Sequence, residues 1–194
     1  MENLENLAAT LGLINIVLVV RRSLWNYPFG IAMVSLYFFI FAEEKLYSDA
    51  LLQIFFLVVQ LYGWWNWTRG RDTSGGLIVK RLSRRALLNW IVGIASATAL
   101  WGWLMHSFTD AAFPWWDASV AMISIGAQIL LSRRYIENWP FWVLVDAVAI
   151  GLYHTKGLEK TAILYAVFLI VAAWGWREWM LVGRAQRASW PDQA

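Results

Sequence analysis

The chemistry in this sequence rests on a few polar residues set in long apolar stretches. Asp146 stands between Val145 and Ala147, about halfway through one such stretch. An ionisable group at that depth is costly to bury and is a functional position by default. Trp139, Trp142 and Tyr153 lie at −7, −4 and +7 from it, spacings that share one face of a helix. A carboxylate among aromatic rings suits a flat organic cation. The preceding stretch repeats the pattern with Asp117, Ser124 and Gln128. Asp117 also reads as a complement to a helix N-terminus. An earlier stretch carries Gln53, Gln60, Trp64 and Trp67 at spacings of seven, four and three. Glutamines at such positions either tie helices together or recognise another amide.

The sequence has no Cys, no HExxH and no GxSxG, and its two His, His106 and His154, stand at helix ends without partnering ligands. It therefore offers no metal site, no cofactor site and no catalytic nucleophile, and an enzyme is not expected. A retinal-type protein would need a Lys deep in the last helix, and Lys160 is at its edge. A purely structural membrane protein would explain the helices but not the one-sided polar faces. No cluster for a coupling ion is evident, which favours uniport over symport.

Stepping from these residues to what must hold them, the composition is 60% hydrophobic and 15% charged, against about 25% charged in a soluble domain. Apolar stretches long enough to cross a bilayer recur along the chain. Seven spans are predicted, at roughly 4–20, 27–42, 49–67, 87–108, 115–131, 139–154 and 160–182. Pro28 and Pro140 mark helix starts, where a missing N–H costs little. Most of the fifteen Trp fall near predicted span ends, at headgroup level. Glu2 and Glu5 stand where a cleaved signal would be basic, so the first stretch is expected to be a retained helix. The net charge of +3 is a topology signal and does not point to nucleic acid.

The two halves repeat each other. Adding 112 takes Arg21-Arg22 to Arg133-Arg134, Asn26 to Asn138 and Pro28-Phe29 to Pro140-Phe141 without a gap. The same register takes Leu46 to Leu158, Ala50 to Ala162, Gly63-Trp64 to Gly175-Trp176 and Trp67 to Trp179. Repeats of this size are a mark of transporter folds. The polar set is not repeated: Asp146 corresponds to Val34, Trp142 to Gly30 and Gln128 to Ile16, as expected for an asymmetric ligand read mainly by the second half. Thirteen of the sixteen Lys and Arg lie in the loops after helices one, three and five and at the C-terminal end; Lys45, Lys156 and Lys160 are the others. The positive-inside rule then puts the N-terminus outside and the C-terminus in the cytoplasm. Three helices, a connecting helix and three more give a parallel repeat of the kind used by SWEET-type sugar transporters, with the substrate expected between halves that rock against each other. The expected division is residues 1–68 for the first repeat, 69–112 for a basic linker and helix four, 113–182 for the second repeat and 183–194 for a cytoplasmic tail.

Particular motifs carry a family resemblance. Pro114-Trp-Trp-Asp117, then Ser124 and Gln128, the run SRRYIENWPFW from Ser132 to Trp142, and Asp146 resemble the signature of PnuC-type vitamin transporters. So do YHTKGLEKTAILY from Tyr153 to Tyr165, Gly175-Trp-Arg-Glu-Trp179, and in the first half Trp25-Asn-Tyr-Pro-Phe-Gly30, Lys45 to Gln53 and Leu61-Tyr-Gly-Trp-Trp65. The resemblance spans roughly residues 8–180. It implies an all-α, seven-helix inner-membrane carrier that moves nicotinamide riboside by facilitated diffusion, with cytoplasmic phosphorylation by a kinase making uptake one-way. Similar family members carry thiamine or riboflavin. The motifs point to Trp142, Asp146, Asp117 and Gln128 as substrate contacts, with Trp116 beside Asp117. The resemblance also implies a homotrimer.

Overall fold

In the computed structural model, residues 2–43, 47–72, 75–110, 112–157 and 159–189 are described. They form seven helices: α1 Glu2–Val20, α2 Asn26–Glu43, α3 Tyr47–Arg69, α4 Arg84–Phe108, α5 Pro114–Ser132, α6 Asn138–Thr155 and α7 Glu159–Ser189. Lys45 and the Leu46/Leu158 pair lie outside the described residues. The predicted spans agree to within a few residues except at the end, where α7 continues through the segment assigned to a tail. No proline interrupts 183–189, and Gly183 gains a reason to stay helical by packing closely on Ile136 and Val79. Among the described residues, β-type pairing is confined to two isolated bridges, Arg71 with Leu77 and Lys80 with Tyr135.

The chain divides into two compact units. One holds residues 1–78 with Ser132–Arg134, and the other holds residues 79–131 with 135–194. In the first, α2 packs on both α1 and α3; in the second, α6 packs on α7. The linker is fastened within the second unit by Ile136 N donating to Lys80 O, Leu82 N to Glu137 Oε2, and Val79 N to Gln186 Oε1 (2.9, 3.1 and 3.1 Å). Ser83 caps α4, its Oγ accepting from Ala86 N at 3.2 Å.

The same corner occurs twice along the chain, built from local bonds. After α1 the chain passes through Arg22 at φ 56°, Ser23 N donates to Leu18 O, and Asn26 Nδ2 donates to Ser23 O at 2.6 Å. After α5 it passes through Arg134 at φ 69°, Tyr135 N donates to Leu130 O, and Asn138 Nδ2 donates to Tyr135 O at 2.6 Å. The left-handed residue reverses the chain, and the Asn side chain covers a carbonyl the turn would leave bare. Pro28 and Pro140 follow as third residues of α2 and α6, where no helical N–H is missed. The packing above each corner also recurs. Tyr27 meets Trp67 edge-on at 5.3 Å beside Gly63, and Trp139 meets Trp179 edge-on at 5.7 Å beside Gly175. A Cβ at either glycine would press into the neighbouring ring, so glycine is required there. Both Trp67 and Trp179 are fully buried.

The outer surface is apolar. Leu51, Val58, Leu88, Val92, Ile163 and Ile170 are all more than half exposed. α4 and residues 161–188 of α7 are long and apolar enough to cross a membrane, and only 6% of the apolar window in α4 is buried. Contiguous apolar surface of that extent is stable against hydrocarbon and not against water.

Candidate functional site

α6 positions the centre of the site. Its first turn is fixed by the Asn138 bond, so Trp142 and Asp146 follow one and two turns on at a set rotation. Val145 and Phe141 pack with Ile123, Ala127 and Leu130 of α5, and Trp142 rests against the same cluster. This apolar contact joins α5 to α6. Asp146 is 4% exposed, and among the described residues its carboxyl makes no hydrogen bond or ion pair. Gln128 is half-buried and likewise has no side-chain partner among the described residues. Ser124 is satisfied on its own helix, donating to Val120 O at 2.7 Å.

The far end of the same helix pair is held by two contacts. Trp116 Nε1 donates to Val148 O at 2.9 Å, with its ring over Gly151. Asp117 pairs with Lys156 Nζ at 2.7 Å, both side chains about three-tenths exposed. Asp117 is thus engaged by a cation of its own chain as well as by the start of α5. Tyr153 stacks on Tyr165 of α7, with centroids 5.2 Å apart. Trp139 is placed differently from the other aromatic residues: it is 1% exposed and wedged between Trp179 and Gly175 in the α6–α7 core. Its spacing from Asp146 is right for one face, but the corner packing takes its ring.

In the first unit, Gln60 is 6% exposed and, with Asn15, crowds Gly30. Asn15 Nδ2 donates to Asn26 O at 2.6 Å, a second tie on that corner. Trp64 is 37% exposed and stacks parallel to Tyr27 at 6.3 Å. Gln53 is half-buried without a side-chain partner among the described residues. Asn15 stands apart from Asn6 and Thr10 in the apolar second half of α1, so helical spacing does not single it out. Its signal was the register: Asn15 and Gln60 correspond to Ala127 and Ala172, while Gly30 corresponds to Trp142. Two amides over a glycine in one unit thus stand where one indole and two fully buried alanines stand in the other. Among the described residues, no group of three or more His, Cys, Asp or Glu could hold a metal ion. An apolar groove of about 700 Å³ between α4, α5 and α6, lined by residues such as Ile91, Trp115, Phe141 and Leu144, includes none of the predicted polar residues.

The sequence model of the nicotinamide mononucleotide transporter family matches residues 2–181. The nicotinamide riboside transporter PnuC of Escherichia coli (strain K12) is 28% identical over 202 residues, covering 91% of this chain and 84% of that one. The chain belongs to the PnuC family. A further relative, the riboflavin/roseoflavin transporter RibM of Streptomyces davaonensis, is 31% identical over 184 residues, 93% of this chain and 85% of its own. The crystal structure of the vitamin B3 transporter PnuC superposes with a TM-score of 0.76 at 26% identity, covering 94% of this chain and 82% of that one. PnuC membership makes the protein a multi-pass transporter of the bacterial inner membrane, with a seven-helix all-α bundle and no catalytic role. Its cargo class is a vitamin or NAD precursor, moved by facilitated transport.

Proposed function

We propose that the protein takes up nicotinamide riboside by facilitated diffusion with alternating access, reading the substrate chiefly through Asp146, Trp142 and Gln128. The observation that carries this is Asp146, buried without a hydrogen-bond or ion-pair partner among the described residues. Holding an unpaired carboxylate in a low-dielectric interior costs several kcal/mol, and a cationic ring would offset that cost when bound. Nicotinamide riboside offers a fixed positive charge, a flat ring for Trp142 and a carboxamide for Gln128. Trp116, Asp117 and Tyr153 shape the same face from α5 and α6 in this reading, with Trp139 behind it in the α6–α7 packing. Gln53, Gln60 and Trp64 supply the first repeat's share.

The architecture we propose is the 3+1+3 parallel repeat of the SWEET type, supported by corners that recur at an offset of 112. Residues 1–68 and 113–182 are the copies, with the linker and α4 between them. The N-terminus is outside and the C-terminus cytoplasmic, as the distribution of thirteen of sixteen basic residues requires. Phosphorylation by a cytoplasmic kinase keeps the cargo inside, and the working assembly is a homotrimer.

Riboflavin is the second reading, favoured by the 31% identity to a riboflavin/roseoflavin transporter; its ring is neutral and gives Asp146 no charge to pair with. Titrating the purified protein with nicotinamide riboside, thiamine and riboflavin, read by Trp fluorescence, separates the cargoes. Saturable quenching by nicotinamide riboside alone is expected. Tighter binding of riboflavin or thiamine would keep the mechanism and replace the cargo. Uptake into vesicles without an ion gradient tests uniport, and complete dependence on a proton or sodium gradient would refute it.

A further inference from the structure

The corner after α1 holds a second candidate site, remote in sequence from the polar residues of α5 and α6. A cavity of about 480 Å³ is lined by Arg21, Arg22 and Ser23, with Trp25 at its rim and Arg71 and Gly75–Leu77 on the other side. Three arginines therefore line one concavity. Arg71 is fixed by Nη1 donating to Gly75 O at 2.5 Å, and its Nε is buried with no hydrogen-bond partner among the described residues. Arg22 is held in the left-handed region at φ 56°, with Nη1 donating to Val20 O at 3.5 Å. Arg21 is exposed. The neighbouring carboxylate, Asp72, already accepts from Gly76 N at 2.8 Å and has a further interaction of its own.

The counterpart corner is built differently. Arg134, the equivalent of Arg22, is buried over Gly70, with Nη2 donating to Asn66 Oδ1 at 3.4 Å and Nη1 to Ile78 O at 3.5 Å. Arg134 thus meets two carbonyl oxygens, though its Nε has no hydrogen-bond partner among the described residues. In the first corner Arg21, Arg22 and Arg71 line a cavity. Trp25, 67% exposed beside it, puts an indole where headgroups would lie.

We propose that Arg21, Arg22 and Arg71 form a phosphate-binding site at the membrane surface, for either a phospholipid phosphodiester or a soluble phosphate. Planar guanidinium groups match phosphate oxygens in pairs, and Arg21, Arg22 and Arg71 border one cavity from which such oxygens could be reached.

The test compares the full-length protein with Arg21→Gln/Arg71→Gln, and with Arg84→Gln/Arg85→Gln, which removes two exposed arginines elsewhere. Native mass spectrometry counts phosphatidylglycerol retained on protein titrated with that lipid in detergent, and a separate titration with inorganic pyrophosphate in lipid-free detergent reads thermal protection. Phosphatidylglycerol binding weaker on the order of 30-fold in R21Q/R71Q alone supports the lipid source. Loss of pyrophosphate protection in that variant alone supports the soluble source. Equal binding by all three proteins, or equal loss in both double variants, overturns the site. The melting temperature of each ligand-free variant is measured first, and if R21Q/R71Q unfolds, R21Q alone replaces it, since Arg21 has an exposed side chain.

Discussion

Replacing Asp146 separates a ligand-binding carboxylate from a structural one, because the two roles predict opposite signs for stability. A buried carboxyl that holds the fold together leaves a partner orphaned when removed, at about 3–5 kcal/mol for a buried charge pair. Asp146 has no such partner among the described residues, so Asp146→Ala removes a desolvated group and orphans nothing. The ligand-free melting temperature is therefore expected to hold or rise, with cavity loss limited to the few atoms removed. Binding moves the other way. A charge-assisted contact contributes about 1.5–3 kcal/mol, and a neutral one about 0.5–1.5 kcal/mol. Asp146→Ala is thus expected to weaken nicotinamide riboside binding by about 10- to 100-fold, and Asp146→Asn to recover part of that loss. Trp fluorescence titration and thermal denaturation on the same samples give both numbers. A large fall in melting temperature with unchanged affinity would refute the assignment.

Three other outcomes follow from the packing. Asp117→Asn and Lys156→Gln, combined in a double-mutant cycle, are expected to show a coupling of about 0.2–1 kcal/mol that fades with added salt, because the pair is partly solvated. Gly175→Ala is expected to lower stability by about 1–3 kcal/mol through pressure on the Trp139 ring, with Trp139→Phe restoring part of it; Gly63→Ala should act alike through Tyr27. Ala172→Gln imports the amide that sits over Gly30 into the unit that has Trp142. It should cost about 1–3 kcal/mol alone and less with Trp142→Gly, and additive effects in thermal denaturation would show that the exchange of sizes is not spatial.

Much of the fold was legible because a bilayer makes apolar runs into helices with few alternatives. Pro28, Pro140 and the basic pairs at 21–22 and 133–134 locate the corners from sequence. The end of α7 was not legible, since composition alone cannot say whether a polar segment after the span keeps a packing partner; Val79 and Ile136 supply one at Gly183. The site was legible by residue type and less so by neighbour. Helical spacing put Trp139 with Asp146, yet spacing reports angle on one helix and not which neighbour claims the ring. The register held that information, because the counterpart of Trp139 is Tyr27 and a glycine faces each. The tie between Asp117 and Lys156 spans 39 residues, beyond any local pattern. Asn15 shows the same limit, as it stands alone in the apolar second half of α1 with no periodicity to read.

The left-handed residue at each corner is an arginine where glycine would adopt the same backbone without strain. Arginine in that conformation costs roughly 1–2 kcal/mol. What it provides is a charge at the apex of the reversal, the part of a helical hairpin that would lead if the hairpin inserted the wrong way round. Carrying that charge across the hydrocarbon costs about 2.5–3.5 kcal/mol on insertion scales, more than the turn strain. The bend and the sidedness signal therefore reside in a single residue, and a glycine there would ease the turn while removing a guard against inverted insertion.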